Sequence, residues 1–166
     1  MFYSTKNYGT DRGFSCCFRQ WRASHSHCSK LHGYALGFKF VFESKVLDHN
    51  NWVFDFGNYD AIKAWLTYMF DHTLLAAMDD PDIAMFRELD AKSLCSLRDV
   101  PSVGCEMFAK MTFEKLSEIL VCFKAGEAVT INNSHYFSKY KIPEAVRLKS
   151  VEVYEHAGNS AVFEAA

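Results

Sequence analysis

Leu36, Phe38, Phe40 and Phe42 alternate along the chain with Gly37, Lys39 and Val41. Successive strand side chains point to opposite faces, so this run reads as a strand with one strongly apolar face. Such a face needs other elements to cover it, which points to a sheet backed by helices. Fifteen Phe and eight Tyr in 166 residues supply the aromatic area for that core. The length suits one domain, because a second independent core would be unusually small.

The covering helices are legible in the same way. Ile62, Trp65, Leu66 and Met69 recur at three and four, which predicts a helix from about Tyr59 to Phe70 with Asn58 as its N-cap. Phe108, Met111, Leu116, Ile119, Leu120 and Phe123 form the apolar side of a second helix that stops at Gly126. Between them, Ala76 to Val103 is polar, carries Pro81 and Pro101, and has room for a short helix around Ile83–Leu89. Gly13 to Trp21 is rich in aromatic and small residues and reads as a strand preceding the first one. Val146–Glu155 and Ala161–Glu164 read as two more strands, joined by a turn at Ala157-Gly158-Asn159. The resulting order is ββααββ: an α+β fold with a four-stranded antiparallel sheet and two helices on one face.

Charge narrows the partners. The net charge is −2, from 18 basic and 20 acidic residues, and no basic block tracks a polyanion, which argues against nucleic acid. No run approaches the roughly 18–20 apolar residues of a membrane helix. Met1 to Tyr8 lacks the charged start and apolar core of a signal peptide. The cysteines at 16, 17, 28, 95, 105 and 122 are therefore expected as free thiols in a cytoplasmic protein.

The chemistry-bearing residues concentrate in a few places. The loop from Ser24 to His32 carries His25, His27 and Cys28, and continues into Gly33-Tyr34. Glycine at 33 would let the backbone turn so that His32 and Tyr34 converge. A thiol beside imidazoles becomes a usable base or nucleophile, whereas an ordinary small buried residue is the plain alternative for Cys28. Asp71 and His72 place an acid beside an imidazole at the end of the first helix. Neighbours on a helix point about 100° apart, so the pair is expected to serve different partners rather than each other. The plain alternative is that His72 only stabilises the helix end through the macrodipole. Glu155 ends an aliphatic strand, where a carboxylate is costly unless something polar meets it; a solvated strand-edge charge is the alternative. Glu106 is either a site residue or a first-turn acid favoured by the helix dipole.

These pieces, in their order, resemble the 6-pyruvoyl-tetrahydropterin synthase family, which includes the bacterial 6-carboxy-tetrahydropterin synthases. The family's cysteine followed by His-Gly-His appears as Cys28-Ser-Lys-Leu-His32-Gly33-Tyr34. Its Asp-Phe step appears as Val53-Phe54-Asp55-Phe56, and its Leu-Asp-His as Phe70-Asp71-His72. Its Pro-Thr-x-Glu helix opening is matched loosely by Pro101 to Glu106, and its last strand by Val151-Glu-Val-Tyr154-Glu155-His156. The resemblance runs over about residues 13–164, with insertions near 77–100 and 126–145. It implies a single T-fold (tunnelling-fold) domain over residues 1–166, assembled as a trimer or a dimer of trimers, a homohexamer.

What the family implies for function is specific. The substrate would be 7,8-dihydroneopterin triphosphate, acted on by a carbon–oxygen lyase of tetrahydrobiopterin or queuosine-type deazapurine biosynthesis. Cys28 would remove a proton, Asp71 and His72 would relay protons into a neighbour's site, and Glu155, with Glu106, would hold the pterin. A pterin presents an amino group and a ring N–H side by side, which match the two oxygens of a carboxylate. Family members bind zinc through three histidines, and those positions fall here on Phe18, His32 and Tyr34. Only His32 is retained, with Cys16, His25 and His27 as candidate substitute ligands and Tyr34 free to hydrogen-bond the substrate instead. Catalytic zinc needs about three protein ligands, so zinc stays open. Three readings therefore stand: a lyase, a pterin-binding T-fold protein that has lost the chemistry, and a metal-free dihydroneopterin aldolase-like enzyme.

Overall fold

The structure is a computed structural model and describes residues 1–165. The alternating run is the middle of its longest strand. Element bounds in chain order are β1 (Phe2–Tyr8), β2 (Phe14–Phe18), β3 (His32–Ser44), α1 (Asp60–Phe70), β4 (Thr73–Ala77), α2 (Ile83–Ala91), β5 (Leu97–Val100), α3 (Cys105–Lys124), β6 (Val129–Ile131), β7 (Ser134–Tyr136), β8 (Arg147–His156) and β9 (Asn159–Glu164). Phe38, Phe40 and Phe42 are essentially inaccessible, and α3 and α1 lie over this face.

The sheet is larger than the expected four antiparallel strands. Among the described residues it has seven, in the order β5-β4-β2-β3-β8-β9, with β1 also paired to β3. One edge of β3 is shared: β2 pairs with His32–Leu36 and β1 with Phe38–Ser44, while β8 takes the other edge. Gly37 sits where the two neighbours change over, and a Cβ there would approach the Tyr8 carbonyl to 3.0 Å. Gly13 admits no side chain at all, since a Cβ would lie 2.7 Å from the Ala35 carbonyl.

The strands absent from the sequence reading have identifiable reasons. β4 is Thr-Leu-Leu-Ala-Ala, buried along its whole length and parallel to both β2 and β5. A strand buried on both faces shows no alternation and is hard to separate from the helix end before it. β1 alternates only between exposed and half-buried, so its signal is weak. The polar stretch expected as an insertion from 77 to 100 forms α2 and β5 and extends the sheet, and the one from 126 to 145 contains the β6–β7 hairpin.

Local corrections follow the same logic. Asn58 does not cap α1. It is buried at the end of a short 3-10 turn, and its side-chain oxygen accepts from the Lys139 and Tyr140 amides at 2.9 and 3.2 Å, tying down the 138–140 loop. The turn itself is started by Asp55, whose carboxylate accepts from the Gly57 amide. α3 begins at Cys105, earlier than its apolar face suggested, and Gly104 enters it at φ 117, a conformation few other residues adopt. β2 ends at Phe18 rather than Trp21, because Arg19 turns off to a pair of carboxylates. Its guanidinium donates to both oxygens of Asp80 at 2.9 and 2.6 Å, and to Asp82 at 2.6 Å.

Candidate functional site

Three pieces of chain converge at the Phe18 end of β2. The loop after Phe18 carries Gln20, His25 and Cys28; the start of α3 brings Cys105 and Glu106; the end of β8 brings Glu155. Together with Phe18, His32 and Ser160 they line a cleft of about 390 Å³. Two backbone-level ties hold its walls. The Gln20 amide donates to the Cys28 carbonyl at 2.8 Å, and its side-chain nitrogen donates to the Val103 carbonyl at 3.2 Å. Gln20 thereby fastens the Cys28 loop to the α3 entry; its place in the sequence carried no sign of this.

Glu155 is aimed by a β-bulge. Tyr154 pairs with Ser160 and His156 with Asn159, so Glu155 is the extra, unpaired residue. Bulges commonly re-aim a side chain at a strand end. Glu155 continues the face of Val151 and Val153, which are fully buried, and emerges from it into the cleft. Cys105 lies against it. Burial first, and then the Glu155 and Glu106 carboxylates, push the Cys105 thiol up to about 12, so it stays a neutral donor. Glu106 lies in the first turn of α3, where the helix dipole favours an acid, and also lines the cleft.

Cys28 sits half-buried in a short 3-10 turn, His27–Ser29, whose preceding Ser26 hydroxyl accepts from the Cys28 amide. His32 is on β3, not in the loop. It and Tyr34 converge because residues two apart on a strand share a face, while Gly33 lies in the ladder opposite Cys17. The turn expected at Gly33 does not occur. The His32 Nδ1–H donates to the Lys30 carbonyl at 2.7 Å, which leaves Nε2 as an acceptor. Burial first, then the Glu155 and Cys28 charges, hold the Tyr34 phenol above its ordinary value, so it too is a donor.

Asp71 and His72 do not line this cleft. Contrary to the expectation, they contact each other: His72 Nδ1–H donates to Asp71 Oδ1 at 2.9 Å. The helix ends at Phe70, Asp71 is extended and His72 is left-handed at φ 56, so the 100° helical separation no longer applies. The His72 amide donates to the Ser15 carbonyl at 2.6 Å, at the opposite end of β2 from Phe18. His72 is thus a non-glycine residue in a left-handed conformation, with its imidazole 85% exposed and oriented by a carboxylate.

The metal-ligand expectation fares differently. Cys16 is in the core, its thiol pushed up to about 12 chiefly by burial. His27 is exposed and off the cleft, and His25 is an exposed residue that lines it. Among the described residues no three of His, Cys, Asp and Glu come together to hold a metal. Of the three positions that hold zinc in the resembling family, only His32 has a donor nitrogen. The residues present do not fit a zinc ion.

A helix-backed sheet of this topology, carrying a cleft at the meeting of a loop, a helix start and a bulged strand, is a T-fold. The family model for 6-pyruvoyl tetrahydropterin synthase matches residues 9–166, and the chain belongs to that family. Solved structures agree at the level of the fold. An uncharacterized protein from Wolinella succinogenes superposes with a TM-score of 0.72 at 18% identity, over 98% of this chain and 97% of that one. The 6-pyruvoyl tetrahydropterin synthase of Caenorhabditis elegans gives 0.57 at 15% identity, over 99% and 94%. That of Plasmodium vivax gives 0.59 at 14%, over 98% of each. No curated protein sequence matches the chain. Among the described residues, no helix is long and apolar enough to cross a membrane.

Proposed function

We propose that the cleft binds a dihydropterin and that the protein is a 6-pyruvoyl-tetrahydropterin synthase-like lyase acting on 7,8-dihydroneopterin triphosphate. The observation that carries this reading is Glu155, bulged out of β8 into the same cleft as Cys28. Its carboxylate has the two acceptor oxygens that a pterin amino group and ring N–H require, with Glu106 beside it. Cys28 is then the group that takes a proton from the ligand's side chain, and Tyr34 donates to an oxygen of that side chain. Asp71 and His72 serve the cleft of a neighbouring protomer, which makes the working unit a homo-oligomer, a trimer or a dimer of trimers. Their exposed, oriented pair supports this.

Phe18 and Tyr34 favour a second reading, in which the pterin pocket persists without the family's reaction. One experiment separates the two. The purified protein is titrated with 7,8-dihydroneopterin and its triphosphate by fluorescence, then incubated with each at high enzyme concentration while pterin products and released triphosphate are followed. Binding and turnover, both lost in Glu155→Ala and turnover alone lost in Cys28→Ala, support the lyase. Binding without turnover selects the pocket-only reading. Neither binding nor turnover refutes both.

A further inference from the structure

Three rings meet where β2 and β3 run side by side; Phe18 and His32 line the cleft, and Tyr34 packs beside them without being among its lining residues. Phe18 and His32 are register partners, and Tyr34 follows His32 by two on the same face. The ring centroids lie 5.4 Å apart for Phe18–His32, 5.9 Å for Phe18–Tyr34 and 5.3 Å for His32–Tyr34. Three imidazoles on one tetrahedral zinc, with Zn–N bonds of about 2.0–2.1 Å, have ring centroids roughly 5 Å apart. The backbone therefore spaces three side chains as a tri-imidazole centre requires.

The side chains deny that centre its donors. Phe18 has no lone pair; it is 4% exposed and stands edge-on to Phe108 at 5.1 Å, as a member of the core. Tyr34 offers a phenol oxygen where the site would need an imidazole nitrogen, and phenols are not among the usual zinc donors. His32 has one nitrogen committed to the Lys30 carbonyl and one left over.

We propose that this chain has exchanged a metal centre for a three-ring wall, and that the exchange resides in Phe18 and Tyr34 while the backbone frame for metal is intact. The cleft works without a resident transition metal. At the wall a ligand in the cleft meets the Phe18 ring and the free Nε2 of His32 in place of a cation. The inference rests on family membership and on the donor set, not on the ligand proposed above.

The test uses metal content alone. Wild-type protein soaked in excess zinc and desalted is expected to retain under about 0.1 zinc per chain, and the Phe18→His/Tyr34→His double variant about one. Cobalt loading of the double variant should give the intense visible bands of tetrahedral coordination, absent from the wild type. Stoichiometric zinc in the wild type, abolished by His32→Ala, would overturn the proposal. A double variant that is folded by circular dichroism yet takes up no metal would overturn the intact frame. Should that variant not fold, Tyr34→His alone leaves the Phe18 packing in place and sets two imidazoles two apart on one strand face. It is expected to bind nickel at least about tenfold more tightly than the wild type; equal affinities would overturn the frame. Pterin binding is not a readout, so failure of the ligand reading and failure of this one are distinguishable.

Discussion

Replacing Asp80 with Asn tests what holds the Cys28 loop in place. Asp80 lies on the turn between β4 and α2, and its side chain is 1% exposed. Both its oxygens accept from Arg19, which is 20% exposed and stacks over Phe86 at 5.6 Å. Next to this pair, the Trp21 indole and Arg22 donate to Asp79, so three residues at the start of the Cys28 loop are fastened to one turn. Breaking a buried pair by neutralising one partner costs 3–5 kcal/mol, and the partial exposure of Arg19 places this case near the lower end, about 3 kcal/mol. For a chain of this length that is a fall in Tm of about 6–12 °C. The Arg19 guanidinium holds the Asp80 carboxyl below the usual carboxylate range. A depressed folded value means the stabilisation is complete above the unfolded value, near 3.9, and is lost as pH falls through the folded one. Urea unfolding should therefore show a constant deficit for Asp80→Asn from pH 7 to about 5, closing only below about pH 4. In a double-mutant cycle with Arg19→Met the coupling should exceed about 1 kcal/mol. A loss under about 0.5 kcal/mol at pH 7, or a deficit that persists unchanged at the lowest pH where the fold survives, would refute the clamp.

Two further outcomes check the core and the thiols. Phe38 is fully buried, with ring neighbours Phe70 at 4.9 Å and Phe14 at 5.6 Å; Phe38→Ala should cost about 3–5 kcal/mol by urea denaturation, and a loss under about 1.5 would mean the site collapses around the missing ring. Brief alkylation with iodoacetamide at pH 8, followed by peptide mass spectrometry, should label half-buried Cys28 while Cys16 and Cys105, buried and pushed up to about 12, stay unmodified; labelling of Cys105 before Cys28 would contradict the placement of the cleft.

Local pattern determined a good deal of this protein. The period of two in Leu36–Phe42 and the periods of three and four before Phe70 and Phe123 each report which side of an element is apolar, and that is all an isolated strand or helix has to declare. They placed β3, α1, α3, β8 and β9, and the motif order placed Cys28, Glu106 and Glu155 among the residues that line one cleft. The interior strand β4 escaped because burial on both faces erases alternation, and β1 because it is too exposed to show a greasy face.

What only the tertiary structure decided are relations between distant segments. The bulge that turns Glu155 into the cleft depends on its pairing with β9, and the Asp71–His72 contact depends on the left-handed residue that the Ser15 carbonyl holds. The Gln20 ties and the Arg19–Asp80 clamp join residues far apart in the chain, so no window of sequence contains both partners. Phe18 and Tyr34 were visible in the sequence as changed positions, and His32 as the retained one. That their rings keep the spacing of a metal centre without its donors depends on the β2–β3 register, and register is a property of two strands together.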